Sequence, residues 1–225
     1  MNFASLRTAS ILSFALILGL TGFANADQLD QQSQMNPTTS GWAISNRNAQ
    51  TVTVGTSGYL SRIGIQINQS NGGASGDLFV EIWNVLGDGS PDVNPNGGGT
   101  PVAAQLIPGS SIPESSQVGS NVVVTYADFS AENLLFNAGD RFAILLRRTD
   151  LSNPGSTPWM IWSGGSSNFP NAYDGGSFYL YSPVNGWEQR AGDHGFQTYM
   201  TAIPEPASFG VIAFSGIALI RRKRS

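Results

Sequence analysis

The chain contains no cysteine and a single histidine, His194, among its 225 residues. Without cysteine there are no disulfides, so the folded part must depend on its apolar core or on a bound ion for stability. Thiol nucleophiles and cysteine-ligated metals are excluded for the same reason. A single imidazole also excludes mechanisms and metal sites that need several histidines.

Positive charge is scarce over most of the chain. Residues 27–203 hold 14 acidic side chains and six basic ones, all arginine, which gives a net charge of −8. The other five basic residues lie in the two terminal segments. An acidic body of this kind repels phosphate backbones and anionic lipid surfaces, which argues against binding of nucleic acid.

Long helices are also missing from the pattern, since no internal stretch keeps a helical apolar stripe and the chain has 27 glycines and 12 prolines. Short apolar or alternating segments between turn formers predict strands instead. The predicted strands are residues 50–54, 59–67, 78–85, 122–126, 142–147, 159–162, 177–181 and 196–201. We therefore predict an all-β fold, an antiparallel β-sandwich of the jelly-roll type.

Two of these segments predict which side chains are buried. Tyr59, Ile63, Ile65 and Ile67 are expected to share one face of the second strand. In residues 78–85, Leu78, Val80 and Ile82 are expected on one face and Glu81 on the other. Residues 131–136 can make at most a turn or two of helix. The longest spacers, 87–103 and 107–119, are where an insertion or binding loop is expected.

The N-terminal segment has the organisation of a signal peptide. Arg7 supplies a positive charge, residues 11–20 are apolar, and Ala24 and Ala26 form a small-x-small cleavage site before Asp27. This order predicts removal of the first 26 residues by signal peptidase after Sec-type export. The alternative is a buried first helix.

The C-terminal segment, residues 204–225, has three parts. Pro204-Glu205-Pro206 is followed by fourteen uncharged residues, 207–220, and then by Arg221-Arg222-Lys223-Arg224. Fourteen helical residues reach about 21 Å, which is short of the roughly 30 Å hydrocarbon core. The terminal position and the basic flank nevertheless favour a single transmembrane helix whose charged end stays cytoplasmic.

These three parts, in this order and paired with a signal peptide, resemble the PEP-CTERM sorting signal. The resemblance implies recognition by an exosortase, a membrane transpeptidase-like enzyme. It would cut near Pro204-Glu205-Pro206 and pass the body to the cell surface or extracellular matrix. The tail is then a substrate and performs no chemistry itself. The alternative is an ordinary tail anchor.

A second resemblance covers most of residues 27–203, the expected extracellular domain. Short phrases in this part are similar to β-sandwich modules of the bacterial choice-of-anchor type, which implies a sandwich fold and a surface location but no established activity. The phrases are residues 58–63, 78–83, 88–91, 138–144, 173–176 and 193–199.

Catalytic motifs are not found. The sequence has no Gly-x-Ser-x-Gly elbow, no phosphate-binding glycine loop followed by lysine, and no His-Glu-x-x-His. His194 follows Asp193, which suggests a dyad, but a turn residue satisfied by local hydrogen bonds is the favoured interpretation. The prediction is a protein that is not an enzyme. A secreted hydrolase, for example polysaccharide-degrading, with an unrecognised carboxylate pair stays open as the alternative.

A calcium site is the sharpest metal hypothesis. Asp92, Asn94 and Asn96 alternate ahead of a glycine, with Asp88 close by, as in the first half of an oxygen-rich calcium loop. The twelfth position is Ala103, where such a loop has a bidentate glutamate. The alternative is a polar loop built from turn formers.

The tryptophans suggest a glycan site. Trp159, Trp162 and Trp187 are candidate platforms for sugar rings, and at least one of the first two should face outward because they have opposite parity on a strand. Core filling is the alternative. The sequence thus predicts an exported, non-catalytic surface or matrix protein that contacts exopolysaccharide or another surface ligand.

Overall fold

The computed structural model describes residues 26–33, 41–44, 48–70, 76–93, 99–118, 122–149, 160–164 and 173–203. The signal-peptide prediction, apart from Ala26, and the whole sorting tail lie outside these residues. So do Ala24, Asn94, Asn96 and Trp159. Within the described ranges, no helix is long and apolar enough to cross a membrane.

Strands dominate the described part of the chain, which confirms the all-β prediction. Helix is limited there to one short α-helix, α1 (Ser115–Val118), and two 3₁₀ turns, Gly109–Ser111 and Ser130–Glu132. The strands are β1 (Gln28–Gln32), β2 (Gly41–Ala43), β3 (Asn48–Thr53), β4 (Gly58–Ile65), β5 (Ile67–Gln69), β6 (Leu78–Trp83), β7 (Ala103–Ile107), β8 (Thr125–Asp128), β9 (Leu135–Phe136), β10 (Arg141–Arg148), β11 (Met160–Ser163), β12 (Phe178–Ser182), β13 (Gly186–Arg190) and β14 (Phe196–Ala202).

The strands pair antiparallel in three sheets. One sheet has the order β1-β14-β4-β8, with β9 also paired to β4; a larger one has the order β13-β12-β3-β10-β6-β7; a small one has the order β2-β11-β5. One buried apolar cluster draws side chains from all three sheets, which is consistent with a sandwich. Its members include Val52, Leu60, Ile63, Ile65, Val80, Ile82, Phe142, Ile144, Met160 and Trp162.

The face prediction for β6 is confirmed. Leu78, Val80 and Ile82 belong to the shared core, and each is fully buried. Glu81 lies on the opposite face of the sheet, buried, with its carboxylate 2.6 Å from the Arg147 guanidinium. The larger sheet is therefore covered on both faces, since this second face also carries a small apolar cluster of its own.

The alternation predicted for β4 is wrong at its beginning. Leu60, and not Tyr59, packs in the core together with Ile63. The pairing of β4 with β14 shifts register between Tyr199 and Met200, so β4 carries one extra residue at that point. A bulge of one residue reverses which side chains face the core, because successive residues alternate between faces.

The two ends of the described domain are adjacent. β1 pairs with β14 so that Gln28 lies opposite Met200. Beside this pair, the Thr201 hydroxyl donates to the Asp27 carboxylate at 3.1 Å. The other end of β14 is Phe196, which follows the loop of residues 191–195. Seven residues of β14 separate the two ends by about 20 Å.

Candidate functional site

A polar hollow opens beside the loop that joins β13 to β14, at the end of β14 farthest from the termini. Its volume is about 130 Å³. The backbone of Gly176 and Gly192 forms part of its wall. The other residues that line it are Tyr173, Asp174, Ser177, Gln189, Arg190 and Asp193.

The Asp193 carboxylate is held in place from the core side of the hollow. The Gln50 amide nitrogen donates to its Oδ1 at 3.0 Å. Burial raises the pKa of Asp193, and the nearby charge of Asp174 adds to this, whereas hydrogen bonds from the Gln50 side chain and the Tyr173 backbone lower it. The carboxylate is therefore a fixed, partly desolvated hydrogen-bond acceptor.

Tyr173, whose backbone bonds Asp193, is equally fixed. The Tyr173 hydroxyl donates to the Thr53 carbonyl at 3.1 Å and lies 3.0 Å from the Thr53 amide, which donates to it. Burial raises the pKa of this tyrosine, so the hydroxyl keeps its proton at neutral pH. Gly176 lies so close to β3 that an added Cβ would stand 1.8 Å from the Thr51 carbonyl oxygen. The hollow is thus preformed by main-chain and side-chain contacts.

The charge in the hollow is negative on balance. Asp174 and Asp193 contribute two carboxylates, and Arg190 contributes one guanidinium. That guanidinium is already ion-paired with the neighbouring Glu188 carboxylate. The Gln189 amide donates to the Ser177 hydroxyl at 2.9 Å. Such a site favours ligands rich in hydrogen-bond donors and repels anions.

His194 adjoins the hollow in sequence, but its ring lies in the core. The ring is fully buried, stacked on Trp162 at 4.1 Å and 8°, with Phe178 edge-on at 4.3 Å. Neither ring nitrogen has a hydrogen-bond partner within the part of the chain that the structure describes. Burial lowers the pKa of His194 to about 3, against a smaller raising effect of the nearby Trp162 and Ser163 carbonyls. The imidazole is therefore neutral at neutral pH.

Both sequence interpretations of His194 are wrong. Its ring nitrogens do not bond the Asp193 carboxylate, so there is no dyad. It is not a locally satisfied turn residue either, because its backbone partners are distant in sequence. The His194 amide donates to the Gln50 side chain at 3.0 Å, and the Ser33 hydroxyl donates to its carbonyl. His194 is a core residue.

The structure also contradicts Trp162 as a sugar platform. Trp162 has no exposed surface, and its indole nitrogen donates to the Gly195 carbonyl at 3.1 Å. Trp187 is half-buried, with its indole nitrogen donating to the Val93 carbonyl at 2.8 Å and Tyr181 packed edge-on at 5.4 Å. Trp187 is therefore only partly exposed, and its role in binding stays a prediction.

The calcium loop is described only in part. Asp88 accepts bonds from the Ser90 amide at 2.9 Å and hydroxyl at 2.7 Å, which lower the pKa of this exposed carboxylate. Asp92 is exposed, whereas Asn94 and Asn96 lie outside the described residues. Elsewhere in the described ranges, no group of three or more His, Cys, Asp and Glu residues could hold a metal ion. The calcium site stays a prediction.

Gly164 is the point at which β11 meets the His194 loop, and its replacement tests how tightly they pack. Its φ is +112°, and a Cβ there would stand 2.5 Å from the Asp193 carbonyl oxygen. We expect Gly164→Ala to lower the free energy of unfolding by about 2–3 kcal/mol through strain plus the clash. Urea denaturation measures this loss.

The matched control for that substitution is Gly139→Ala. Gly139 also has a positive φ, +92°, but nothing lies within 4 Å of an added Cβ. It should lose only the strain contribution, about 1–2 kcal/mol. Equal losses in the two variants would show that the close approach of β11 to the loop adds nothing.

Comparison with known proteins adds no relative. No protein-family model matches the chain, and no curated protein of similar sequence was found.

Proposed function

We propose that this protein is an exported surface or extracellular-matrix protein whose folded domain binds a ligand and does not catalyse a reaction. In this proposal the signal peptide, residues 1–26, directs export, and an exosortase recognises the tail, residues 204–225. The helix at 207–220 anchors the chain in the membrane until the tail is cut. The domain between them is a sandwich of jelly-roll type.

The observation that carries the proposal is the pairing of β1 with β14. β1 begins at Gln28, directly after the proposed first cut, and β14 ends at Ala202, directly before Pro204. Both proposed processing sites therefore flank the sheet and leave its hydrogen bonds intact. Because the two segments leave from one end of the sheet, a chain held at its termini would present the polar hollow at the other end.

The hydrolase alternative has one observation in its favour: Asp174 and Asp193 line the same open hollow, and the pKa of Asp193 is raised there. The size of the site favours binding instead. Its volume of about 130 Å³ is below the roughly 300–1,000 Å³ of ordinary ligand pockets. It suits one small group, so any further part of a substrate or ligand would lie outside it.

Processing at both ends can be tested by intact mass spectrometry of the protein from surface and culture-medium fractions of its native host. We expect a species that begins at Asp27 and ends near Pro204-Glu205-Pro206, because both cuts fall just outside the paired strands. Replacing those three tail residues by alanine should keep the tail attached. If the unaltered protein recovered from the membrane fraction of the host still carries residues 221–224, the tail is a plain anchor.

A further inference from the structure

We propose that the polar hollow binds the neutral, hydroxyl-rich end of a glycan, with the Asp174 and Asp193 carboxylates accepting hydrogen bonds from its hydroxyl groups. The idea rests on the proposed function in one respect, that the domain meets glycans outside the cell. The site itself is defined by residues 173–177 and 189–193.

The hydrogen-bonding groups of the hollow match those of a sugar. A hydroxyl group donates one hydrogen bond and accepts up to two. Asp174 and Asp193 supply acceptors, while Gln189 and Arg190 supply donors beside them. Asp193 is already oriented by Gln50 at 3.0 Å, so a ligand would pay little for ordering it. Hydrogen bonds to a charged acceptor are roughly twice as strong as those between neutral groups.

The charge of the hollow selects among sugars. Two of the residues that line it carry carboxylates, and the one guanidinium is ion-paired with Glu188. A uronate or phosphate would meet repulsion from both carboxylates and would have to displace that ion pair. An apolar ligand finds no matching surface, since the Tyr173 ring is 7% exposed. A neutral polyhydroxy group meets neither obstacle.

The neighbouring strand suggests where a longer chain would continue. Gln189, which lines the hollow, and Trp187 are two residues apart on β13 and so point to the same side of the sheet. Their spacing is about 7 Å. The exposed part of Trp187 would therefore pack against the next part of a glycan whose end occupies the hollow.

The test is a titration of the full-length chain, purified in a detergent without a sugar headgroup so that the result does not depend on export or sorting. The ligands are methyl glycosides of neutral hexoses, with glucuronate for comparison, and binding is followed by calorimetry. We expect saturable binding of at least one neutral hexoside and weaker binding of glucuronate. Asp174→Asn and Asp193→Asn should each weaken binding about tenfold or more.

Two features keep this test decisive. Glu132→Gln, on an exposed residue in a 3₁₀ turn away from the hollow, makes the same carboxylate-to-amide change and should bind like the natural protein. Asp193 has structural partners, so Asp174→Asn, at an exposed residue, decides the matter if Asp193→Asn unfolds. No binding across the panel, tighter binding of glucuronate than of every neutral hexoside, or full binding by Asp174→Asn would each overturn the proposal. None of these results would alter the mass-spectrometric test of sorting.

Discussion

Replacing Trp162 by alanine is expected to lower the free energy of unfolding by about 3–5 kcal/mol. The indole is fully buried, stacks on His194 at 4.1 Å and donates to the Gly195 carbonyl at 3.1 Å. Its removal would open a cavity and take one of two donors from that carbonyl, which also accepts from the Gln66 amide at 2.9 Å. Because single domains are stable by only about 5–15 kcal/mol, much of the stability would be lost. Urea denaturation followed by circular dichroism measures the change.

Trp187→Ala is the matched control, since it removes the same side chain from a half-buried position. Its indole bonds the Val93 carbonyl and packs against a small apolar cluster, so we expect a loss less than half that of Trp162→Ala. In the glycan titration we expect the opposite order. Trp187→Ala should affect glycan binding more than it affects stability. Similar losses of stability in both variants would contradict the difference in burial.

The sequence was sufficient to predict the buried face of a strand such as β6, whose own side chains alternate. Leu78, Val80 and Ile82 face the core as their spacing predicts. β1 was missed because its sequence, QLDQQ, is polar and lies at a sheet edge, where no apolar face is needed. The local sequence pattern also could not predict which side chains of β4 face the core, because the bulge opposite Tyr199 and Met200 arises from the pairing of two strands.

The site was harder to predict because its parts are distant in sequence. Asp174 and Asp193 each lie beside glycine in a short sequence that predicts a turn. Such a sequence predicts a loop, but it does not predict that the two loops meet. Parity predicts opposite sides for Trp159 and Trp162, but it does not predict which of those sides is the core. His194 has polar and glycine neighbours, so its burial depends on the separate strands that supply Trp162 and Phe178.

The buried imidazole makes a second large effect measurable as a dependence of stability on pH. An unfolded histidine takes up a proton below a pKa of about 6.5, whereas His194 in the folded protein does so only near 3. The unfolded state therefore binds more protons between these values. The contribution of His194 to the free energy of unfolding is therefore fully present above pH 6.5. It decreases by about 1.4 kcal/mol for each unit that the pH falls towards 3.

His194→Phe isolates this contribution, because phenylalanine can occupy the space between Trp162 and Phe178 without a titrating nitrogen. Other groups also respond to acid: the pKa values of Asp88 and Asp128 are lowered and that of Asp193 is raised. Both proteins share those groups, so the difference between their stability curves reports His194 alone. We expect the difference to be constant above pH 6.5 and to grow in favour of His194→Phe below it, in urea denaturation at several pH values. Parallel curves down to pH 4 would mean that the folded protein protonates this imidazole as readily as the unfolded chain does, and that the ring is not sealed between the two aromatic side chains.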